Sequence, residues 1–349
     1  MINKNHVFLF SIITVLISVS GCSKKANVSE SRSKEVIVYT YDSFAGEWGP
    51  GGEIARLFNA KTGLTAAFVD CGDGVQVLSR AILEKDNVQA DVILGIDNND
   101  SRKALSEGIL ESYKPQNAEE LIPEELRASL CDDWELVPYD YSPFAMIFDT
   151  QSNVTEPASL DDLTNPEYAK KIILMDPRTS TPGLGFVSWT KSVKGEAVLD
   201  YWRALKPNIL TMAPGWSSGY GLFTNGEAPL VISYTSSAAY HVEYDNTDRY
   251  KALIFDEGHV MQIEGAGVLK NAPNKAGAQA FMDFLISEEA QDALPLTQWM
   301  YPANKNVTLP ESYQKGSPIP TKILDSPKTV EEESALQKTV SEIMSLLAE

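Results

Sequence analysis

Short apolar runs alternate with helix-like repeats in the segment 36–95, and this alternation constrains the fold more than any other feature of the chain. The runs have the length of strands, while the segments between them repeat apolar residues at helical spacing. The predicted strands are 36–41, 64–69 and 90–95, and the predicted helices are 53–62, ending at Gly63, and 75–85. Parallel strands need crossover connections of this kind, so the segment predicts a βαβαβ unit and an α/β fold.

Three polar loops follow the three predicted strands and therefore lie at one edge of the sheet. They include Trp48, Asp73 and Asp97, an unusual load of aromatic and acidic side chains for turns. Because ligands of open α/β sheets bind beyond the carboxyl ends of the strands, the loops predict a ligand cleft on this side. Two alternatives remain open. Asp73 also suits the cap of the helix that follows it, and Asp97 suits a buried hydrogen-bonding position.

A second α/β region begins near Tyr139. Its predicted strands are 144–148, 171–175 and 229–234, and amphipathic helices are predicted at 276–294 and 330–347. The loop 176–185 follows one of these strands and contains hydroxyl side chains, an arginine and two glycines, which suit a cradle for a polar ligand. An ordinary helix-capping turn is the alternative, and Arg178 suits either a phosphate or an ion pair with Asp176.

The amino terminus has the features of an exported lipoprotein. Lys4 precedes an apolar run at 7–19 that is too short to span about 30 Å of hydrocarbon, as expected of a signal peptide. Cys22 follows this run in a context that resembles a lipobox, where the cysteine is lipidated; an ordinary secretory signal is the alternative. We therefore expect a signal peptide at 1–21 and a lipidated cysteine with a flexible tether at 22–35.

Length, charge and cysteines narrow the class of protein. The chain has 349 residues, which predicts two domains, and a formal net charge of −19, which argues against nucleic-acid binding. The charge favours a cationic ligand, although it also serves solubility. Cys71 and Cys131 either form a disulfide, which export permits, or stay free. His241 and His259 lack metal-ligand spacing and are expected to pack rather than to bind a metal.

Several motifs in order resemble the thiamine-binding component of bacterial ABC transporters, from Val36 almost to the end of the chain. They are Tyr39-Thr40-Tyr41-Asp42-Ser43-Phe44, Trp48-Gly49-Pro50, Gly95-Ile96-Asp97-Asn98-Asn99, the loop 176–185, Gly215-Trp216, Tyr220-Gly221-Leu222-Phe223, Ser233-Tyr234-Thr235, Tyr240-His241 and Trp299-Met300-Tyr301-Pro302. The resemblance implies a type II periplasmic-binding fold, an α/β protein whose two lobes close on a ligand by hinge motion. It implies two crossing hinge strands near 137–140 and 262–265, lobe 1 at 36–138 plus 265–349, and lobe 2 at 139–264.

The resemblance also implies a thiamine pocket between the lobes. Its residues would be Tyr41, Trp48, Asp73, Gly74, Ser180, Trp216, Tyr234, Tyr240 and Trp299. Thiamine carries a permanent thiazolium cation, which an aromatic face holds by about 0.5 to 2 kcal/mol. Asp73 would contact the cation or the aminopyrimidine amine. The hydroxyethyl or phosphate end would suit the Gly74 amide, Ser180, Thr179 and Thr181. Core packing is the alternative for the tryptophans, and a hinge position is the alternative for Tyr41.

The function implied by the resemblance is capture of thiamine, its monophosphate or its diphosphate outside the cytoplasm and delivery to an ABC permease with its ATPase. The protein would be a lipid-anchored monomer without a cofactor, open when free and closed around its ligand. One alternative is a same-fold carrier of ferric iron or a small anion, but the adjacent tyrosine pair expected of iron carriers is missing from the sequence. A second alternative is an exported thiamine-acting enzyme. Its only candidate nucleophile, Cys71, has no supporting histidine, so no catalytic residue is expected.

Overall fold

The structure is a computed structural model that describes residues 34–349. The predicted signal peptide at 1–21, the lipidation site Cys22 and all but the end of the predicted tether lie outside the described residues. Within the described part, no helix is both long enough and apolar enough to cross a membrane.

Twelve strands of the described chain form one sheet, with the order β2-β1-β3-β10-β5-β8-β6-β7 and four short strands paired at its sides. The strands are β1 (Glu35–Thr40), β2 (Thr65–Asp70), β3 (Val92–Asp97), β4 (Leu110–Glu111), β5 (Val137–Asp149), β6 (Ile172–Met175), β7 (Ile209–Ala213), β8 (Leu230–Tyr234), β9 (Tyr250–Ala252), β10 (His259–Leu269), β11 (Tyr301–Pro302) and β12 (Ile323–Leu324). Strands β1, β2 and β3 are parallel. The predicted βαβαβ unit is therefore confirmed.

Helices cover the faces of this sheet. They are α1 (Asp42–Ala45), α2 (Gly51–Thr62), α3 (Gly74–Leu83), α4 (Ser101–Ser106), α5 (Ala118–Leu121), α6 (Glu124–Leu130), α7 (Thr181–Lys194), α8 (Val198–Leu205), α9 (Trp216–Thr224), α10 (Ser237–Glu243), α11 (Lys275–Leu285), α12 (Glu288–Gln291), α13 (Glu311–Gly316) and α14 (Val330–Ala348). As the sequence predicts, α2 ends at Gly63, which adopts the left-handed φ of 72° that a helix-ending glycine allows.

Two long strands, β5 and β10, run antiparallel to each other and join the halves of the sheet. The first part of β5, 137–143, pairs with β10, while its second part, 144–148, pairs with β8 of the other half. Strand β10 also pairs with β3. These strands are the predicted crossing strands, and with the parallel strands on either side they confirm the two-lobed fold.

Each half has its own apolar core. The first core contains the rings of Phe44, Phe58 and Phe281, all fully buried, and the second is built around Trp189 and Trp202. A fully buried side chain of this size contributes about 1.5 to 3 kcal/mol of transfer free energy. Two cores on either side of β5 and β10 explain why the halves can act as separate lobes.

The carboxyl-terminal helix α14 contacts both lobes. The resemblance assigns 265–349 to lobe 1, whereas Leu336, Val340 and Ile343 of α14 pack into the second core. At its other end, the Glu333 carboxylate of α14 accepts the backbone N–H groups of Arg102 and Lys103 at 2.7 Å each, in α4 of the first lobe. The predicted helix is present, but its sequence does not reveal its two partners.

Both remaining cysteines are free. Cys71 is half-buried at the end of β2, and Cys131 is buried after α6. Cys131 is held by the backbone of Leu136, with which its sulfur exchanges hydrogen bonds. Of the two alternatives left open by the sequence, the structure therefore favours unpaired thiols.

Candidate ligand-binding cleft

Asp73 lies at the centre of the contact between the lobes. It caps helix α3, where its Oδ1 accepts the N–H of Gly74 at 2.6 Å and its own N–H donates to Gln76. Its carboxylate also accepts hydrogen bonds from the second lobe, and its side chain is buried. Burial raises the pKa of Asp73, and these hydrogen bonds offset part of the rise. The predicted capping role is confirmed, and the same carboxylate faces the cleft.

The second lobe brings an aromatic face and hydrogen-bond donors to this point. The ring of Trp216 stacks on Tyr220, with 5.0 Å between centroids and 18° between planes. Its Nε1 donates to Ser233 Oγ at 2.8 Å, which fixes the orientation of the indole. Trp216 is the first residue of α9. It is half-buried, so part of the ring remains available for a ligand.

The buried carboxylate of Glu264, in β10, accepts hydrogen bonds from two tyrosines at the lobe junction. Its Oε2 accepts the hydroxyl of Tyr41 at 2.8 Å and the hydroxyl of Tyr139 at 3.0 Å. The Tyr41 hydroxyl in turn accepts the amide of Gln298 at 2.5 Å. Tyr41 therefore links β1 of the first lobe to a crossing strand, which fits the hinge position weighed for it from the sequence.

Three carboxyl groups lie side by side across the lobe junction. Glu264 is directly opposite Asp97 of β3 and Asp140 of β5, and each is at most 3% exposed. Burial raises the pKa of Asp97 and of Asp140 well above the ordinary range, and repulsion adds to the shift, mainly from Asp100 for Asp97 and from Glu264 for Asp140. Burial also raises the pKa of Glu264. Among residues 34–349, Asp140 meets no donor to either carboxyl oxygen, so a proton shared with the neighbouring Glu264 is the arrangement that satisfies it.

Tyr234 of β8 is a further buried residue at the lobe junction. Its hydroxyl donates to Gln262 Oε1 at 2.8 Å, and its ring stacks on Phe144 with 5.2 Å between centroids. Burial raises the pKa of Tyr234 well above its usual range, and Coulomb repulsion from four carboxyl groups adds to the rise. The four are Glu264, Asp73, Asp97 and Asp140.

A second aromatic group lies at the rim. Tyr240, 37% exposed, packs edge-on against Trp299 with 5.3 Å between centroids, and Trp299 stacks on Tyr313. Trp299 has a φ of 60°, a left-handed backbone that bulky residues rarely adopt. Such strain persists where the surroundings enforce it, often at functional sites. The structure thus brings Tyr240 and Trp299 together as a pair.

Other predicted residues differ in how the structure places them. Ser180 is fully buried against Asp73, whereas Trp48 is 87% exposed and stacks on no other ring in the described chain. Arg178 forms two hydrogen bonds with the Asp176 carboxylate, at 2.9 and 2.6 Å, which decides between its two alternatives. The role of every predicted site residue in binding stays a prediction.

Sequence reasoning missed the carboxyl groups of the crossing strands. Glu264 and Gln262 interrupt the buried strand β10, and Asp140 lies in the mostly buried strand β5. A charged residue inside a buried strand is costly unless it is hydrogen-bonded or has a function, and this was the available signal.

Two lobes, two crossing strands and a polar cleft between them define the class of two-lobed solute-binding proteins. In agreement, the family model described as bacterial extracellular solute-binding protein matches residues 87–324. The class describes a transport component that binds a solute.

Sequence relatives narrow the family. The chain is 39% identical over 318 residues to the thiamine-binding periplasmic protein of Brucella abortus biovar 1 (strain 9-941), covering 90% of this chain and 92% of the relative. It is 39% identical over 281 residues to the protein of the same name from Escherichia coli (strain K12), covering 80% and 83%. A solved periplasmic thiamin binding protein superposes with a TM-score of 0.83 at 37% identity, covering 90% and 96%. The chain belongs to the family of thiamine-binding periplasmic proteins.

Proposed function

We propose that the protein binds thiamine, and also its phosphate esters, outside the cytoplasm and delivers it to an ABC permease driven by its ATPase. The observation that carries this proposal is the half-buried ring of Trp216, which stacks on Tyr220 and whose backbone N–H donates to the buried Asp73 carboxylate of the opposite lobe. A permanent cation with an aromatic ring is the chemistry that such a site attracts, because negative potential and π faces both stabilise it. The names of the relatives support the same ligand.

The binding residues in this proposal are those predicted from the sequence. Trp216 and Tyr234 offer ring faces in the cleft, and the Tyr240–Trp299 pair offers a further ring at the rim. Trp48 would have to turn inward to contact a ligand, because its side chain is 87% exposed. No cofactor beyond the ligand is part of the proposal.

Location and partners complete the proposal. A lipid on Cys22 would hold the protein at the extracytoplasmic face of a membrane, as a monomer, with the tether allowing it to reach the permease. Mass spectrometry of the protein purified from the membrane fraction tests the anchor. A mature amino terminus at Cys22 that carries acyl groups is expected, and cleavage elsewhere without acyl groups would contradict it.

The two alternative functions have less support. The buried tyrosines of the cleft donate hydrogen bonds to Glu264 and Gln262, and burial raises their pKa, which opposes the phenolate form that would bind iron. For an enzyme, the Cys71 thiol would have to ionise, but burial raises its pKa as well. We therefore propose a carrier and not a catalyst.

Isothermal titration of the full chain in detergent tests the ligand, after unfolding and refolding to remove any bound molecule. We expect a sub-micromolar Kd for thiamine, with quenching of tryptophan fluorescence as the ring stacks. Titration with the two phosphate esters ranks the three forms. Absence of both heat and quenching with all three would contradict the proposal and leave a carrier of another solute.

A further inference from the structure

Helix α10 carries a buried histidine whose two ring nitrogens both bond to side chains. His241 is 2% exposed, its Nδ1 lies 2.7 Å from Oδ2 of Asp245, and its Nε2 lies 3.0 Å from the hydroxyl of Tyr220. A carboxylate only accepts hydrogen bonds, so Nδ1 carries the hydrogen and donates it to Asp245. Nε2 is then the acceptor, and the Tyr220 hydroxyl donates to it. Burial lowers the pKa of His241, which favours this neutral form, and the Asp245 carboxylate offsets part of the shift.

This histidine lies behind the ring of Trp216. The rings of His241 and Tyr220 are nearly parallel, with 6.0 Å between centroids and 23° between planes. Trp216 stacks on Tyr220 in turn, with 18° between planes. The contacts therefore run from the loop of Asp245 through two buried side chains to the half-buried indole. A rotation of the Tyr220 ring would remove the surface on which this indole stacks.

Helix α10 contacts the aromatic groups of the cleft in two further ways. The hydroxyl of Ser237 lies 2.7 Å from that of Ser233, which accepts Nε1 of Trp216 at 2.8 Å. Tyr240, one of the rim pair, packs edge-on against His241, with 5.0 Å between centroids and 88° between planes. A helix of seven residues thus supports both the indole of the cleft and a ring of the rim.

The other buried histidine of residues 34–349 shows how a packing role differs. Nε2 of His259 accepts the N–H of Phe255 at 2.8 Å, and Nδ1 donates to the carbonyl of Phe144 at 2.7 Å. Both partners are backbone groups, which any residue could supply. The partners of His241, in contrast, are a carboxylate and a phenol, which only particular side chains supply. The arrangement around His241 therefore orients Tyr220 in addition to packing α10.

We propose that His241 is a positioning residue for ligand binding: Asp245 holds it in one tautomer, and it fixes the Tyr220 ring that supports Trp216. The inference rests on the proposed function, since its consequence is the affinity for a ligand with a cationic ring. A ring that is already fixed loses little freedom when a ligand stacks on it. A mobile ring must be ordered on binding, which lowers the affinity. His241 acts through Tyr220 and Trp216 and touches no ligand itself.

The first test needs no ligand and follows the indole directly. Fluorine NMR is recorded on the full chain in detergent, labelled with 5-fluorotryptophan, and the resonance lost in Trp216→Phe is that of Trp216. His241→Asn keeps a donor for Asp245 but no acceptor for Tyr220, so the Trp216 resonance should shift or broaden. His241→Gln brings an amide oxygen near the position of Nε2 and should restore the wild-type resonance. An unchanged resonance in His241→Asn, or an equal change in both variants, overturns the inference.

Asp245→Ala tests the same contacts if replacement of His241 unfolds the protein. The Asp245 side chain is 47% exposed, so its removal leaves the core intact. Nitrogen NMR with labelled histidine should show the hydrogen on Nδ1 of His241 in the wild type. Asp245→Ala should lose this fixed tautomer and alter the Trp216 resonance, whereas Asp248→Ala, which removes an exposed carboxylate of the same loop, should alter neither signal. Wild-type signals in Asp245→Ala overturn the inference.

Titration with thiamine measures the consequence for binding. His241→Asn should raise the Kd about fivefold, and His241→Gln by about twofold or less. Tyr220→Phe keeps the ring but removes the same hydrogen bond. Its combination with His241→Asn should therefore raise the Kd no further than His241→Asn alone. Effects that multiply in the double variant would show that the two residues act independently, which overturns the inference.

These measurements also separate the inference from the proposed function. If the wild-type protein binds none of the thiamine forms, the proposed function fails, and the fluorine spectra still decide whether His241 positions Trp216. If the protein binds thiamine but neither the Trp216 resonance nor the Kd responds to His241→Asn, only the role of His241 is refuted.

Discussion

The two lobes bring opposite chemistry to the cleft. The first lobe and the crossing strands present carboxyl groups, those of Asp73, Asp97 and Glu264, all buried. The second lobe presents donors and ring faces, through the first residues of α7 and α9 and the stacked ring of Trp216. Closure therefore pairs an acceptor surface with a donor surface. Neither lobe alone satisfies its buried polar groups, which gives the closed form a physical basis.

The difference also explains how one site can hold a ligand with two unlike ends. A cationic ring suits the carboxyl groups near Tyr234, while the donor surface suits an oxygen-rich end. Four predictions test this difference between the two lobes, from the largest expected effect to the smallest.

The largest expected effect is at the acceptor surface. Replacing Glu264 by glutamine keeps acceptors for the hydroxyls of Tyr41 and Tyr139 but removes a buried charge beside the proposed cation. Loss of such a charge is expected to raise the thiamine Kd by about a hundredfold, measured by titration. Glu111→Gln, at a surface ion pair with Lys275, is the control and should leave the Kd unchanged. A Kd for Glu264→Gln within about twofold of the wild-type value would show that the Glu264 carboxylate does not contribute to binding of the cation.

The second prediction concerns Glu333, where the arrangement is reversed and the first lobe supplies the donors. Burial raises the pKa of Glu333 from 4.5 to about 7. The folded protein then keeps a proton that the unfolded chain releases, so this group stabilises the fold below about pH 4.5 and the stability is lost as the pH rises to about 7. Glu333→Gln cannot lose a proton. Relative to the wild type its free energy of unfolding should gain about 3 kcal/mol between pH 4.5 and pH 8 in urea unfolding.

A flat difference between the two proteins across that range would show that the Glu333 carboxyl titrates normally. Glu331→Gln, on an exposed part of the same helix, is the matched control, and its stability relative to the wild type should not depend on pH in this way.

The third prediction tests whether the ring of Trp216, in the second lobe, stacks on the ligand. Trp216→Ala should weaken thiamine binding by roughly tenfold, since one stacking face is lost. The melting temperature of the empty protein should fall by only a few degrees, because Trp216 is half-buried. Trp216→Phe retains a ring and should recover most of the affinity. A large loss of melting temperature without ligand would instead assign Trp216 to the core of the second lobe.

The smallest effect is expected from a reducing agent. Cys71 follows β2 and lies two residues before Asp73. A disulfide between Cys71 and Cys131 would therefore restrain the loop that carries the Asp73 carboxylate. Since Cys71 and Cys131 are free, dithiothreitol should leave the melting temperature unchanged, as measured by scanning calorimetry. A melting temperature lower by several degrees in dithiothreitol would show that a disulfide restrains this loop.

The fold could be predicted from the sequence where local patterns determine it. Strand-length apolar runs and the cap at Gly63 give the βαβαβ unit, because these signals depend on residues close together in the chain. The partners of α14 could not be predicted. Its apolar stripe shows that it packs on something, but nothing in the stripe distinguishes the core of one lobe from that of the other.

The site, too, was predicted only where the signal lies in neighbouring residues, and not where it depends on contacts between distant parts of the chain. Asp73 stands out as a cap, but its bonds to Ser180 and Trp216 join residues 107 and 143 positions apart, which only the folded chain brings together. Trp48 is followed by Gly49 and Pro50, and these neighbours do not determine the direction of its ring. In the structure the side chain is exposed. Glu264 had a local sign, a charge inside a buried strand, whose meaning depends on the tyrosines around it.

Helix α14 has a consequence for how the protein folds. Its residues Leu336, Val340 and Ile343 complete the second core, most of which comes from the segment 144–260. Without α14, this part of the second core would be an apolar groove open to water. The second lobe therefore reaches its native stability only when α14 docks on it, and this contact between distant parts of the sequence is one that folding is slow to make.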